Sequence, residues 1–323
     1  MANIKKMMKD GCDFLGTKYA VMGGAMSWIS ESNLVSAVSN AGGFGVIACG
    51  AMPSELLRET IQKTQAKTDK PFGVNLITMH PNLEELINVC IDENVSHAIL
   101  AGGLPKADTI KALKAGNIKV ICFAPALVLA KRMVRNGADA LIIEGAEAGG
   151  HIGPIATSIL VQEILPNIKD VPIFVAGGIA TKEMVEAYLD LGAAGVQVGT
   201  ILAATKESIA HENFKKAYFK ANARDAIASA QIDARFPVIP VRAINNKASK
   251  DFMEFQKQII GKCDNGECEV AEGQMEVEHY WAGALRKAVI DGDVDAGSLM
   301  AGQIVGLVKE EKSVTEIIES LVN

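Results

Sequence analysis

The feature that most constrains this chain is a beat. Within roughly its first 200 residues, eight short apolar runs alternate with longer amphipathic segments: 19–22, 44–49, 72–76, 98–101, 119–123, 138–143, 172–176 and 195–198. Runs of this length, bounded by Gly, Pro and Asn, read as strands buried on both faces. The segments between them read as helices; in 82–93, for example, Leu83, Leu86, Ile87 and Cys90 fall on one helical face. Helices are expected over 33–40 (with Ser30 or Ser32 as N-cap), 53–66, 82–93, 105–115, 126–136, 157–165 and 182–191. Strict alternation points to an all-parallel sheet covered by helices. Eight units is the count of a closed (β/α)8, or TIM, barrel, although an open doubly wound sheet shares the local pattern. The glycines favour the barrel. They follow the first, sixth, seventh and eighth runs, and no GxGxxG stands after any strand.

Beyond residue 200 the beat stops. Residues 205–280 are rich in charge, with helical patterning at 211–223 and 249–260 around the proline-punctuated segment 235–240. This stretch reads as a lid-like insertion over the mouth of a barrel made by 1–204 and 281–323. Residues 314–322 form a final amphipathic helix.

With 49% apolar and 22% charged residues the chain is a globular one. Its net charge of −6 argues against non-specific nucleic-acid binding. No apolar run approaches the ~20 residues that span a bilayer, and the lysines of 1–10 precede no apolar leader. A cytoplasmic location is expected, and a homodimer is compatible with this reading. Of the six cysteines, Cys12, Cys49, Cys90 and Cys122 sit in strand-like or helix-like segments and read as reduced thiols. Cys263 and Cys268 bracket a turn, and a reversible disulfide is one reading of them. As metal ligands they make at most half a site, with His279 the other obvious ligand nearby, so no metal is expected.

The chemistry concentrates at 144–153, where Glu144 is followed by a loop holding Gly145, Gly149, Gly150 and Gly153 around a lone His151. Histidine titrates nearest neutrality and suits proton transfer, and a strand ending in such a loop is the layout of an active site at the C-terminal edge of a barrel. Gly177-Gly178 and Gly199-Thr200 end the seventh and eighth runs, where barrels keep a phosphate site. Gly23-Gly24, Asn75 and Gln197 supply close backbone approach and amide groups able to read a flat heterocycle. For Asn75 taken alone, an inter-strand amide bond is an equal alternative. Phosphate site, amides and histidine together suit FMN.

Five ordered segments carry a resemblance: 23–28 (Gly-Gly-Ala-Met-Ser-Trp), 70–75 (Lys-Pro-Phe-Gly-Val-Asn), 144–153, 176–179 (Ala-Gly-Gly-Ile) and 196–200 (Val-Gln-Val-Gly-Thr). They resemble the nitronate monooxygenase (2-nitropropane dioxygenase) superfamily over nearly the whole chain. The C-terminal 292–307, Gly-Asp-Val-Asp-Ala-Gly-Ser-Leu-Met-Ala-Gly-Gln-Ile-Val-Gly-Leu, is most similar to its FMN-dependent enoyl-ACP reductase II branch. The resemblance implies an FMN-bound barrel with a helical lid, His151 as catalytic residue, and flavin contacts from Gly23, Gly24, Met26 and Asn75. It places Gly177, Gly178 and Gly199 at the phosphate, with Gln197 and Thr200 beside them, and Ser298, Met300 and Gln303 near the flavin. Glu144, Gly149 and Gly150 complete the expected cofactor-binding set. Ala25 before Met26, and Ile201-Leu202 after Thr200, depart from the usual reductase pattern. The expected activity is NADH- or NADPH-dependent reduction of a trans-2-enoyl thioester, on a small or carrier-bound acyl group. The alternatives are a nitronate monooxygenase using FMN and dioxygen, and a non-catalytic flavin-binding protein.

Overall fold

Strand one, Val21–Gly23, pairs with strand eight, Gly195–Val198, and the order runs on through seven (Ile173–Ala176), six (Ala140–Glu144), five (Lys119–Phe123), four (His97–Ala101), three (Phe72–Ile77) and two (Gly45–Ala48). Every pairing is parallel. The ring closes between strands one and two, where the Gly23 N–H donates to the Phe44 carbonyl and the Phe44 N–H to the Val21 carbonyl, each at 2.9 Å. The computed structural model describes residues 4–236 and 239–323, and of residues 278, 279, 281 and 282 the backbone alone. It is a (β/α)8 barrel, the closed one of the two folds that the alternation allows. Pro237 and Val238 of the proline-punctuated segment, and the His279 side chain considered as a ligand, lie outside the described residues.

Seven of the outer helices come before the next barrel strand: Ser32–Asn40, Ser54–Gln65, Leu83–Asp92, Ala107–Ala115, Leu127–Arg135, Thr157–Ile164 and Lys182–Asp190. The N-cap of the first is Glu31, whose side chain accepts from the Asn33 N–H, rather than Ser30 or Ser32. Strand eight is followed only by the short Thr200–Ala203. The eighth slot, between Lys182–Asp190 and Ser32–Asn40, is filled by Val314–Val322, which buries Val314, Ile318, Leu321 and Val322 there. Its start is fixed by a capping box between Ser313 and Glu316. The 115 residues from 199 to 313 are thus inserted between the last strand and its helix.

That insertion divides by packing. Phe214 and Tyr218 on helix Glu212–Lys220 belong to the barrel's apolar core. Phe236, Val241, Phe252, Ile259, Val277 and Ala284 form a second, smaller core between helices Lys247–Asp264 and Val270–Val289. The second helix runs across residue 280. Cys263 and Cys268 join the facing helix ends in a disulfide, and burial holds the Cys49, Cys90 and Cys122 thiols up at about 11, 12 and 12. No helix among the described residues is long and apolar enough to cross a membrane.

The N-terminal end of the barrel is stoppered by helix Lys9–Leu15. There His97, 3% exposed, lies between the rings of Phe14 and Phe44, its Nε2 facing the Phe14 carbonyl at 3.1 Å. Burial, aided by the charge of Lys119, lowers its pKa to about 4 against the Phe14 hydrogen bond, which raises it. The sign follows. Unfolded His97 takes a proton below about pH 6.5 and folded His97 only below about 4, so stability is full above pH 6.5 and drains as pH falls towards 4. A depression of this size is worth roughly 3 kcal/mol. Urea melts of the wild type and His97→Gln at pH 7 and pH 4 should therefore show the wild-type advantage shrinking by about that much. An unchanged difference would mean that His97 titrates normally.

Candidate functional site

All eight strands point their C-terminal ends at one mouth, and the candidate residues converge on its strand one, six, seven and eight side. After strand one the chain turns tightly. The Ser30 hydroxyl donates to the Gly24 carbonyl (2.8 Å) and accepts from the Met26 N–H (3.0 Å). The Gly24 N–H in turn donates to Val198, 2.8 Å away. A Cβ at Gly24 would lie 3.5 Å from Gly199 Cα, and one at Gly199 3.7 Å from Met26 Sδ. Gly23, Gly24, Met26 and Gly199 are therefore one surface. Ser30, a buried polar residue, is its support, a role hidden behind its plausibility as a cap.

The loop after strand six is folded against the loop after strand seven. Glu144 pairs with Ala176, and the Glu147 carboxylate accepts from the Thr157 N–H (2.9 Å) and hydroxyl (2.8 Å), capping helix Thr157–Ile164 from ten residues upstream. Gly178, at φ +71°, sits directly over it: an added Cβ would be 3.3 Å from Glu147 Cβ. Only glycine adopts that backbone without strain. The N–H groups of Gly178 and Ile179, and of Thr200 and Ile201, donate to no group among the described residues. The Thr200 hydroxyl accepts from the Gly302 N–H at 2.9 Å, which leaves its own proton uncommitted. Paired loops with unspent donors fit a phosphate, since such groups, part-buried or buried, call for an acceptor.

The C-terminal segment closes the fourth side. A Cβ at Gly149 would lie 2.5 Å from the Gly302 nitrogen, so only glycine lets 301–302 pass. The Gln303 N–H donates to the Glu147 carbonyl (2.9 Å), the buried Tyr218 hydroxyl donates to the Met300 carbonyl, and Met300 packs against both apolar cores. A Cβ at Gly150 would be 3.7 Å from Met300 Sδ. The Gln303 side chain itself is exposed. Ser298 is 1% exposed, and its hydroxyl has no hydrogen-bond partner among the described residues.

Gly150–His151 is a two-residue strand, antiparallel to Val241–Ile244, with Val241 opposite His151 and Arg242 opposite Gly150. Arg242 pins the loop, donating from Nε to the Ala146 carbonyl (2.9 Å) and from Nη1 to Ala226 (2.7 Å). His151 is thus an exposed residue on a fixed backbone at the mouth. Neither Arg242 nor this pairing has a local signal, because their partners lie some ninety residues apart.

The remaining amides part company. Asn75 donates to the Ile99 carbonyl at 3.3 Å, the inter-strand role. Gln197 is 7% exposed and its amide has no partner among the described residues, which leaves it for a ligand. Glu144 also accepts no hydrogen bond from them. The residue is part-exposed, yet protein surrounds its carboxyl, and that burial pushes it up to about 8, so at neutral pH it is mostly a proton-bearing donor. A cleft of about 630 Å³ lined by Asp10, Lys169, Asp170 and Asp190 lies at the opposite end of the barrel and shares no residue with these loops.

The model of a protein family described as nitronate monooxygenase matches residues 9–89 and 82–323. A (3aS,4S,5R,7aS)-5-hydroxy-7a-methyl-1-oxo-octahydro-1H-indene-4-carboxyl-CoA dehydrogenase from Rhodococcus jostii is 30% identical, over 96% of this chain and 93% of its own. A probable nitronate monooxygenase from Staphylococcus haemolyticus is also 30% identical, over 76% and 80%. The solved structure of FabK from Thermotoga maritima superposes with a TM-score of 0.86 at 37% identity, covering 96% of this chain and 94% of that one.

Proposed function

The chain belongs to the nitronate monooxygenase family of flavin-dependent oxidoreductases, and on that premise we propose that it reduces 2-enoyl thioesters with FMN and NADH or NADPH. The observation that carries this reading is the fit of the 298–303 segment, whose sequence resembles the reductase branch, against Gly149, Gly150, Glu147 and Thr200. The relative named as a carboxyl-CoA dehydrogenase supports a thioester substrate.

Bound FMN supplies the hydride relay between nicotinamide and substrate. Gly177, Gly178, Gly199 and Thr200 would hold its phosphate through backbone N–H groups and a hydroxyl, and Gln197 would meet the ring edge. Gly23, Gly24 and Met26 would form the wall beside it. His151 would donate to the thioester carbonyl or to the α-carbon, with Arg242 keeping its loop in place. The 298–303 segment, packed on Gly149 and Gly150, would help keep water from the ring.

The family model and the staphylococcal relative favour a second reading, oxidation of alkyl nitronates with dioxygen. Anaerobic rapid mixing separates the two. The reductase bleaches within seconds with NADH or NADPH and regains colour with trans-2-butenoyl-CoA. Fast bleaching by propyl-2-nitronate, with none by either nucleotide, would transfer the assignment to the monooxygenase.

A further inference from the structure

The mouth has two unlike halves. On the side of strands six to eight stand glycines, unspent N–H groups and Glu144. On the side of strands three to five the strands end in the part-exposed Ile77, Ala101 and Phe123. The segments that follow, 77–83, 101–105 and 123–130, the last of them running into the first turn of helix Leu127–Arg135, contain no Asp, Glu, Lys or Arg at all. Their large apolar side chains stand in solvent: Met79 is 67% exposed, Leu104 48% and Val128 75%. The first two loops touch, since a Cβ at Gly103 would lie 3.5 Å from Met79 Cγ and the Thr78 N–H donates to Ala101 at 2.8 Å.

Scattered exposed apolar residues are ordinary; three on consecutive uncharged segments after neighbouring strands, two of them on loops that touch, at the barrel end that carries the cradle, mark a binding surface. We propose that this rim seats the hydrocarbon chain of the acyl group, while the thioester head lies across the barrel by His151. The assignment rests on the reductase reading and adds a chain-length preference to it. A nitronate of three or four carbons would have nothing to place there. The part-exposed Ile77 and Phe123, at the C-terminal ends of strands three and five, set apolar side chains between these segments and the barrel mouth.

Calorimetry on the FMN-loaded protein tests this without turnover, using butanoyl-CoA and dodecanoyl-CoA below its micellar range. The wild type should bind dodecanoyl-CoA at least tenfold more tightly. Leu104→Glu and Val128→Glu should lose most of that advantage while binding butanoyl-CoA within twofold of wild type. Both sites are solvent-exposed, and a glutamate in the first turn of Leu127–Arg135 suits the helix. Equal affinities for both thioesters in the wild type, or an advantage indifferent to both substitutions, would overturn the proposal. So would a halving of the solution mass in the variants, which would make the rim a contact between copies of the chain. Reoxidation of reduced enzyme by trans-2-butenoyl-CoA is read separately, so failure of the reductase assignment and failure of the rim are different results.

Discussion

Gly178→Asp is expected to yield a folded, colourless protein that does not take up added FMN. The position is held at φ +71°, an added Cβ would lie 3.3 Å from Glu147, and the new carboxylate would stand beside an existing one. It would also face the dianionic phosphate that the unspent N–H groups of Gly178 and Ile179 are suited to bind. Two lost hydrogen bonds to a charged group, at ~1.5–3 kcal/mol each, put the weakening on the order of 10³-fold before repulsion is added. Fluorescence titration with FMN measures it, and circular dichroism checks that the barrel survives. A yellow variant with one flavin per chain would remove the phosphate from this loop.

His151→Ala should do the reverse, keeping the flavin and losing turnover. The backbone of residue 151 pairs with Val241 whatever its side chain, and the exposed imidazole leaves no cavity when trimmed. Proton transfer by a positioned side chain is typically worth ~10²–10⁴-fold, and that is the expected fall in kcat. Flavin absorbance and steady-state rates on one preparation suffice. Near-normal turnover would leave His151 a residue of the turn and nothing more.

What was legible in the sequence was whatever is encoded locally. Each strand–helix unit of the barrel carries its own apolar run, so all eight strands stand where the alternation places them. The candidate residues at strand ends followed, because register within a parallel barrel is set by those same runs. What escaped depends on distant partners. Gly150–His151 becomes a strand only because Val241 and Arg242 arrive beside it. Helix Val270–Val289 hides behind Gly273 and Gly283, which break its pattern, and its stability comes from packing on Lys247–Asp264. Ser30 has the chemistry of a cap, and the turn after strand one claimed its hydroxyl, leaving Glu31 to cap the helix.

The late position of the eighth helix has a consequence for how the protein is made. During synthesis all eight strands emerge well before Val314–Val322, and until that helix arrives Val38 and the backbone at Gly43 lack the cover of Ile318. Joining ends 115 residues apart costs only about 1.5 kcal/mol more in chain entropy than joining ends ~20 apart, so the delay is tolerable thermodynamically. Its burden is kinetic. A nascent chain carries an open apolar seam through the whole time its lid is being translated, and that seam is the surface a chaperone or a neighbouring chain would meet first.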